Sequence, residues 1–170
     1  MKILLADDDE SVRDSLQKVL EATGYEVVAA ADGRQALKLF NQETVDLLVL
    51  DLGLPNWSGW EVFELVTSRF PLLPVIIITG QTDQFKTAAA AGAGALMEKP
   101  LDAPLLLDTI AQLLAEKPES RLLRRCGYVN STRHIISHSA RMARDLDERC
   151  THPLHTQLVD KLHLHRPGAM

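Results

Sequence analysis

Four apolar runs in this sequence end in residues that could together handle a charged oxygen group. KILLA (residues 2–6) runs into Asp7 and Asp8, and the run from Val45 to Leu50 ends in Asp51. VIII (residues 75–78) ends in Thr79 and Gly80, and the short run Ala95 to Glu98 ends in Lys99. Three carboxylates in one crevice repel each other and raise each other's pKa unless a cation sits among them. Ligation by oxygen alone, without His or Cys, points to a hard ion, and Mg²⁺ fits best because it completes its shell with water and phosphate oxygens. The hydroxyl and the ammonium could then hold the oxygens of a phosphoryl group and stabilise charge as it transfers. Each residue also has a plainer structural explanation. Asp7 to Glu10 could be an acidic helix start favoured by the macrodipole, Asp51 and Thr79 could be caps, and Lys99 a surface charge. All of these falling together at strand ends is the less probable coincidence.

The elements that would position these groups follow from periodicity. Strand candidates at 2–6, 25–31, 45–50, 75–78 and 95–98 alternate with amphipathic or alanine-rich stretches. Ser11 is a candidate cap for the first helix, whose apolar residues Val12, Leu16, Val19 and Leu20 recur on one face. Gly24 ends that helix, and Asp32-Gly33 turns the chain into the second. Ser58 to Phe70 predicts a third helix, Asp83 to Ala91 a fourth, and a fifth starts near Asp102 with Pro104 in its first turn. Five βα units in strict alternation mean a parallel sheet covered by helices on both faces. The expected fold is α/β, flavodoxin-like and doubly wound, a (βα)5 unit with a five-stranded parallel sheet in the order 2-1-3-4-5. Its topological switch point lies between strands one and three, so Asp7, Asp8 and Asp51 would meet there.

Composition bounds the rest. The 170 residues suit one ordinary domain plus an appendage. Residues 1–117 carry 9 Lys+Arg against 18 Asp+Glu, a net of −9, whereas residues 118–170 carry 9 against 5, a net of +4, and all 6 histidines. That shift predicts a domain over 1–117 and a basic, His-rich extension over 118–170. Cys126 and Cys150 make no disulfide framework, MKILLA meets its acids too soon for a signal peptide, and no apolar run could span a bilayer. A cytoplasmic protein without a membrane partner is expected.

The motifs LLADDDESVRDSL, VDLLVLDLGLPNWSGWE, PVIIITG and AAGAGALMEKPLD resemble, in order and spacing, the receiver domain of two-component response regulators, over about residues 1–117. The resemblance implies that Asp51 is the phospho-acceptor, taking a phosphoryl group from a sensor histidine kinase or a histidine phosphotransfer protein. It implies that Asp8 binds Mg²⁺ directly, Asp7 largely through water, and the Gly53 carbonyl as a further ligand. Thr79, Lys99 and the Gly80 amide would contact phosphoryl oxygens, and the Lys99–Pro100 bond would be cis. Such a protein is a signalling switch and not an enzyme in the usual sense, with self-catalysed phosphoryl transfer and slow autodephosphorylation. Its downstream protein partner would dock on the face made by the fourth helix, fifth strand and fifth helix, and phosphorylation could drive homodimerisation. One position departs from the pattern. Where the family usually places Tyr or Phe, three residues before the lysine, this chain has Leu96, so the switch would rest on Thr79 and on packing around Leu96.

The extension shows no output domain. A helix over about 131–149 is predicted from Ile135, Ser139, Met142 and Leu146, with the remainder disordered. No second recognition helix follows, and Tyr128 is the only aromatic of the extension, which argues against DNA binding. His134 and His138, or Cys150, His152 and His155, have conceivable metal spacing, but no cysteine pair supports a zinc module. Two other functions share these residues: a phosphorelay intermediate passing phosphoryl groups between histidines, and a transcription regulator that binds DNA through its basic tail.

Overall fold

The computed structural model of the chain describes residues 1–129 and 131–136. Five βα units come first: β1 (Lys2–Ala6), α1 (Glu10–Ala22), β2 (Glu26–Ala30), α2 (Gly33–Gln42), β3 (Leu47–Asp51), α3 (Gly59–Arg69), β4 (Val75–Thr79), α4 (Phe85–Ala90), β5 (Ala95–Glu98) and α5 (Ala103–Leu114). The extension adds α6 (Pro118–Arg125) and β6 (Arg133–Ile136). All neighbouring strands are parallel, in the order β2-β1-β3-β4-β5-β6. The expected 2-1-3-4-5 order is therefore present, extended by one strand at the β5 edge.

Alternation along the strands divides the core into two layers. Leu4, Leu48, Leu50, Ile77 and Leu96 face α2, α3 and α4 together with Phe63 and Val66. Ile3, Leu5, Val49, Ile76, Ile78 and Met97 face α1 and α5 together with Leu16, Leu20, Leu106 and Ile110. Every residue of β3 and β4 is buried, which is why these two strands read as unbroken apolar runs. Their carboxyl ends, Asp51 and Thr79, are fixed by that burial.

Side chains set the helix starts. The cap of α1 is Asp9, whose Oδ1 accepts from the Ser11 and Val12 amides at 2.9 and 3.2 Å, so the expected cap Ser11 lies inside the helix instead. The third acid of the DDD run is structural. Asp32 and Asp102 cap α2 and α5, and Ser58 with Glu61 forms a reciprocal capping box at α3.

The extension departs from its expected form. Arg133–Ile136 is a strand and not the first turn of a helix over 131–149, and Pro118–Arg125, within the remainder expected to be disordered, is helical; residues 137–149 of the predicted helix and 150–170 lie outside the described residues. Parallel pairing on β5 satisfies the backbone of this segment and buries part of Ile135 against the α1–α5 layer. No periodicity announced α6, which is bound by its arginines. Arg121 donates to the Leu113 carbonyl at 2.7 Å, and Arg124 meets both carboxylate oxygens of Glu116 at 2.8 and 2.6 Å. Arg125 donates to the Ala91 carbonyl and to Thr67, with its guanidinium 5.7 Å from the centre of the Phe63 ring. These basic residues act as fasteners onto the first five units.

Candidate functional site at the carboxyl edge of the sheet

The carboxyl ends of β1, β3, β4 and β5 bring the predicted residues together. Asp7 is fully buried and Asp51 nearly so, while Asp8 is exposed, and one carboxylate oxygen from each lies within 4.8 Å of the others. Lys99 reaches across from the residue after β5. Its Nζ is 2.6 Å from Asp51 Oδ2 and 3.0 Å from Asp7 Oδ2.

Burial raises the Asp7 carboxyl above its ordinary pKa, against the opposing pull of Lys99 and the Asp9 amide. Burial also works against the charge on Lys99, yet contact with Asp51 and Asp7 outweighs it and holds that pKa above the ordinary lysine value. Asp7 Oδ2 is buried without an aligned hydrogen-bond donor; the Lys99 ammonium satisfies it only as an ion pair. A buried carboxylate oxygen short of donors, with two more carboxylates in reach and no nitrogen or sulfur ligand, suits a hard cation such as Mg²⁺. The donor set fits the ion.

The other predicted residues surround this cluster. The Gly53 amide donates to Asp51 Oδ1 at 3.0 Å and holds the carboxylate in the loop after β3. A Cβ built on Gly53 would lie 3.6 Å from that same oxygen, so the glycine leaves the approach to Asp51 open. Thr79 is buried at the end of β4, and its Oγ1 accepts from the Gln81 amide at 3.0 Å. The Lys99 amide donates to the Thr79 carbonyl at 2.8 Å, which ties the two side chains to one peptide pair. Gly80 opens the loop after Thr79, and the Lys99–Pro100 bond is cis. Leu96 is buried in the α2–α4 layer, three residues before Lys99 and beside Ile77 of β4.

Two supporting residues were not among the predicted site residues, though Gly59 reads in the sequence as loop punctuation after Asp51. Arg13 donates from Nη1 to the Asp7 carbonyl at 2.9 Å, bracing the loop that carries the acids. Gly59 packs against the backbone of Asp51: a Cβ there would meet the Asp51 carbonyl oxygen at 2.2 Å. Neither shows in a periodicity pattern, because both act on backbone atoms outside their own helical face.

Comparison with known proteins agrees with this geometry. A family profile described as the response regulator receiver domain matches residues 3–111. The chain is 32% identical over 146 residues to the response regulator protein FleR of Pseudomonas aeruginosa, covering 84% of this chain and 31% of that protein. It is 39% identical over 101 residues to the alkaline phosphatase synthesis transcriptional regulatory protein PhoP of Bacillus subtilis, covering 58% of this chain and 42% of that protein. The chain thus spans less than half the length of either relative. Among solved structures it is similar to a CheY-like receiver domain protein from Methanospirillum hungatei, with a TM-score of 0.65 and 33% identity over 70% of this chain and 96% of the other. The chemotaxis response regulator CheY4 of Vibrio cholerae gives a TM-score of 0.61 and 32% identity over 66% of this chain and 97% of the other.

Proposed function

The chain belongs to the response regulator receiver family, and from that premise we propose that Asp51 is its phospho-acceptor, working with Mg²⁺ held by Asp7, Asp8, Asp51 and the Gly53 carbonyl. It is a two-component signalling protein, and membership of the family implies a cognate histidine kinase. The donor is a phosphohistidine on that kinase or on a histidine phosphotransfer protein. The P–N bond breaks as a bond forms between phosphorus and an Asp51 oxygen, and the departing imidazole keeps the electron pair and takes up a proton. When bound, the cation neutralises charge on the transferring group and on the carboxylates around it.

This chain's residues do the positioning. The Gly53 amide fixes one Asp51 oxygen and leaves the other toward Lys99. Lys99 then passes from the Asp51 carboxylate to the phosphoryl oxygens, where its charge counts most in the transition state. The Thr79 hydroxyl and the Gly80 amide supply the remaining donors. The observation that carries the reading is the Lys99 ammonium bridging Asp51 and Asp7 inside a three-carboxylate cluster.

We take residues 1–117 as the receiver and 118–170 as its extension. Output would pass to a protein partner, or to a second copy, at the α4–β5–α5 face. No described helix is long and apolar enough to cross a membrane; action in the cytoplasm is proposed from membership of the receiver family. The test is labelling by a small phosphodonor such as acetyl phosphate. Wild type should be labelled only with Mg²⁺, and Asp51→Asn should not be labelled at all. Equal labelling of the variant would refute the assignment.

A further inference from the structure

Strand β6 joins the extension to the strand that carries Lys99. Its register sets His134 beside Leu96 and Ile136 beside Glu98. The His134 ring lies flat on Phe85, with centroids 4.4 Å apart and planes within 9°, and Nε2 is 2.7 Å from Glu98 Oε1. Glu98 pairs with Thr79 across the sheet and directly precedes Lys99. Contacts therefore run without a break from Asp51 through Lys99 and Glu98 to His134, and on to Phe85, the first residue of α4. Position 96 itself carries no aromatic. The ring over this part of the sheet comes from the neighbouring strand.

We propose that β6 is a latch on the β5 edge, held shut by His134 on Glu98 and Phe85, and released when Asp51 is phosphorylated. The inference rests on Asp51 being the phospho-acceptor. A phosphoryl group would occupy the place where Lys99 now meets Asp51 Oδ2, so Lys99 must shift, and Glu98 is bonded to it. A shift of Lys99 that carries the peptide it shares with Glu98, whose N–H donates to the Thr79 carbonyl at 2.8 Å, would break the Glu98–His134 contact.

β6 is suited to release. It is four residues long, lies at the sheet edge, and buries Ile135 only in part. Short edge segments with few buried contacts open at small cost. Its entry is better held: Thr132 is buried and donates from Oγ1 to the Ala93 carbonyl at 2.7 Å, and the Arg133 amide donates to the Gly94 carbonyl at 3.2 Å. Opening would thus pivot on Thr132 and Arg133 and draw His134–Ile136 away from β5. It would expose the unpaired backbone of β5 together with the Phe85 ring, a template for an extended segment of another chain.

Coupling is reciprocal, so whatever loosens β6 must tighten phosphoryl binding by the same factor. The experiment uses the full chain with Mg²⁺ and beryllofluoride, a phosphoryl mimic, with occupancy read from fluorine NMR. Hydrogen exchange at the amides of His134–Ile136 should speed up as the site fills, while that of Arg133 changes less. His134→Ala should exchange fast without the mimic and bind it more tightly, by about fivefold or more. His134→Phe, which keeps the stacking but loses the Glu98 contact, should fall between the two. Unchanged protection in a filled site, or unchanged affinity in His134→Ala, would overturn the latch alone. Failure of the wild type to bind the mimic would overturn the acceptor reading and the latch with it.

Discussion

Replacing Lys99 with methionine removes one charge from between two buried acids, and the structure sets the size of the effect. The ammonium lies 2.6 Å from Asp51 Oδ2 and 3.0 Å from Asp7 Oδ2. Without it, carboxylate oxygens within 4.8 Å of one another are left facing each other. At that separation and an effective dielectric of about 20, each pair of charges repels by about 3 kcal/mol. Removing one partner of a buried ion pair costs about 3–5 kcal/mol. The Lys99 side chain is 24% exposed, which places the expected loss near the lower end, at about 3 kcal/mol. The folded-state pKa of Lys99 lies above its ordinary value of 10.5, so its contribution is complete below that pH and fades only as pH rises through the folded value. The loss should therefore appear in full at neutral pH. Urea unfolding of both proteins, without metal and with Mg²⁺, measures it. Mg²⁺ should narrow the gap, since the cation supplies the missing positive charge among the same carboxylates. A variant as stable as wild type without metal, or a gap that Mg²⁺ leaves unchanged, would refute the reasoning.

Two further outcomes follow from the supporting geometry. Gly59→Ala places a Cβ 2.2 Å from the Asp51 carbonyl oxygen and 2.6 Å from Leu52 Cα, both backbone atoms, and should lower stability by about 1–3 kcal/mol in the same assay; an unchanged midpoint would show that the turn after β3 yields freely. The amide and hydroxyl of Ser58 hold Glu61 below its ordinary value of 4.5, so its contribution is present above that pH and lost as pH falls through the lower folded value. Glu61→Gln should accordingly flatten the acid limb of the stability curve, and an acid limb as steep as wild type would contradict the capping box.

How far the sequence could be read differs by element. β3 and β4 were legible because both of their faces are buried, which leaves an apolar run with no competing interpretation. The candidate site was legible because four strand ends carried matching chemistry, and the fold brings Asp7, Asp8 and Asp51 within 4.8 Å of one another with Lys99 against Asp7 and Asp51. The DDD run hid a division of labour: all three acids look alike, but Asp9 turns its side chain to the α1 amides. β6 was hidden more deeply. Four residues, RHII, cannot outweigh a helical spacing of Ile135, Ser139, Met142 and Leu146, and nothing local shows that the β5 edge is there to pair with. The arginines of α6 counted only toward the positive charge of the extension, yet Arg124 is buried on Glu116; the partners of such a residue lie in other elements and leave no periodic trace.

The most direct measurement is to locate the phosphoryl group. The 170-residue chain treated with acetyl phosphate and Mg²⁺, then reduced with borohydride to convert an acyl phosphate to the alcohol, can be mapped by peptide mass spectrometry. Conversion at Asp51, with Asp7 and Asp8 unmodified, is the expected result. Conversion at Asp7 or Asp8 instead, or none at Asp51 while the protein carries label, would contradict the assignment of Asp51 as acceptor.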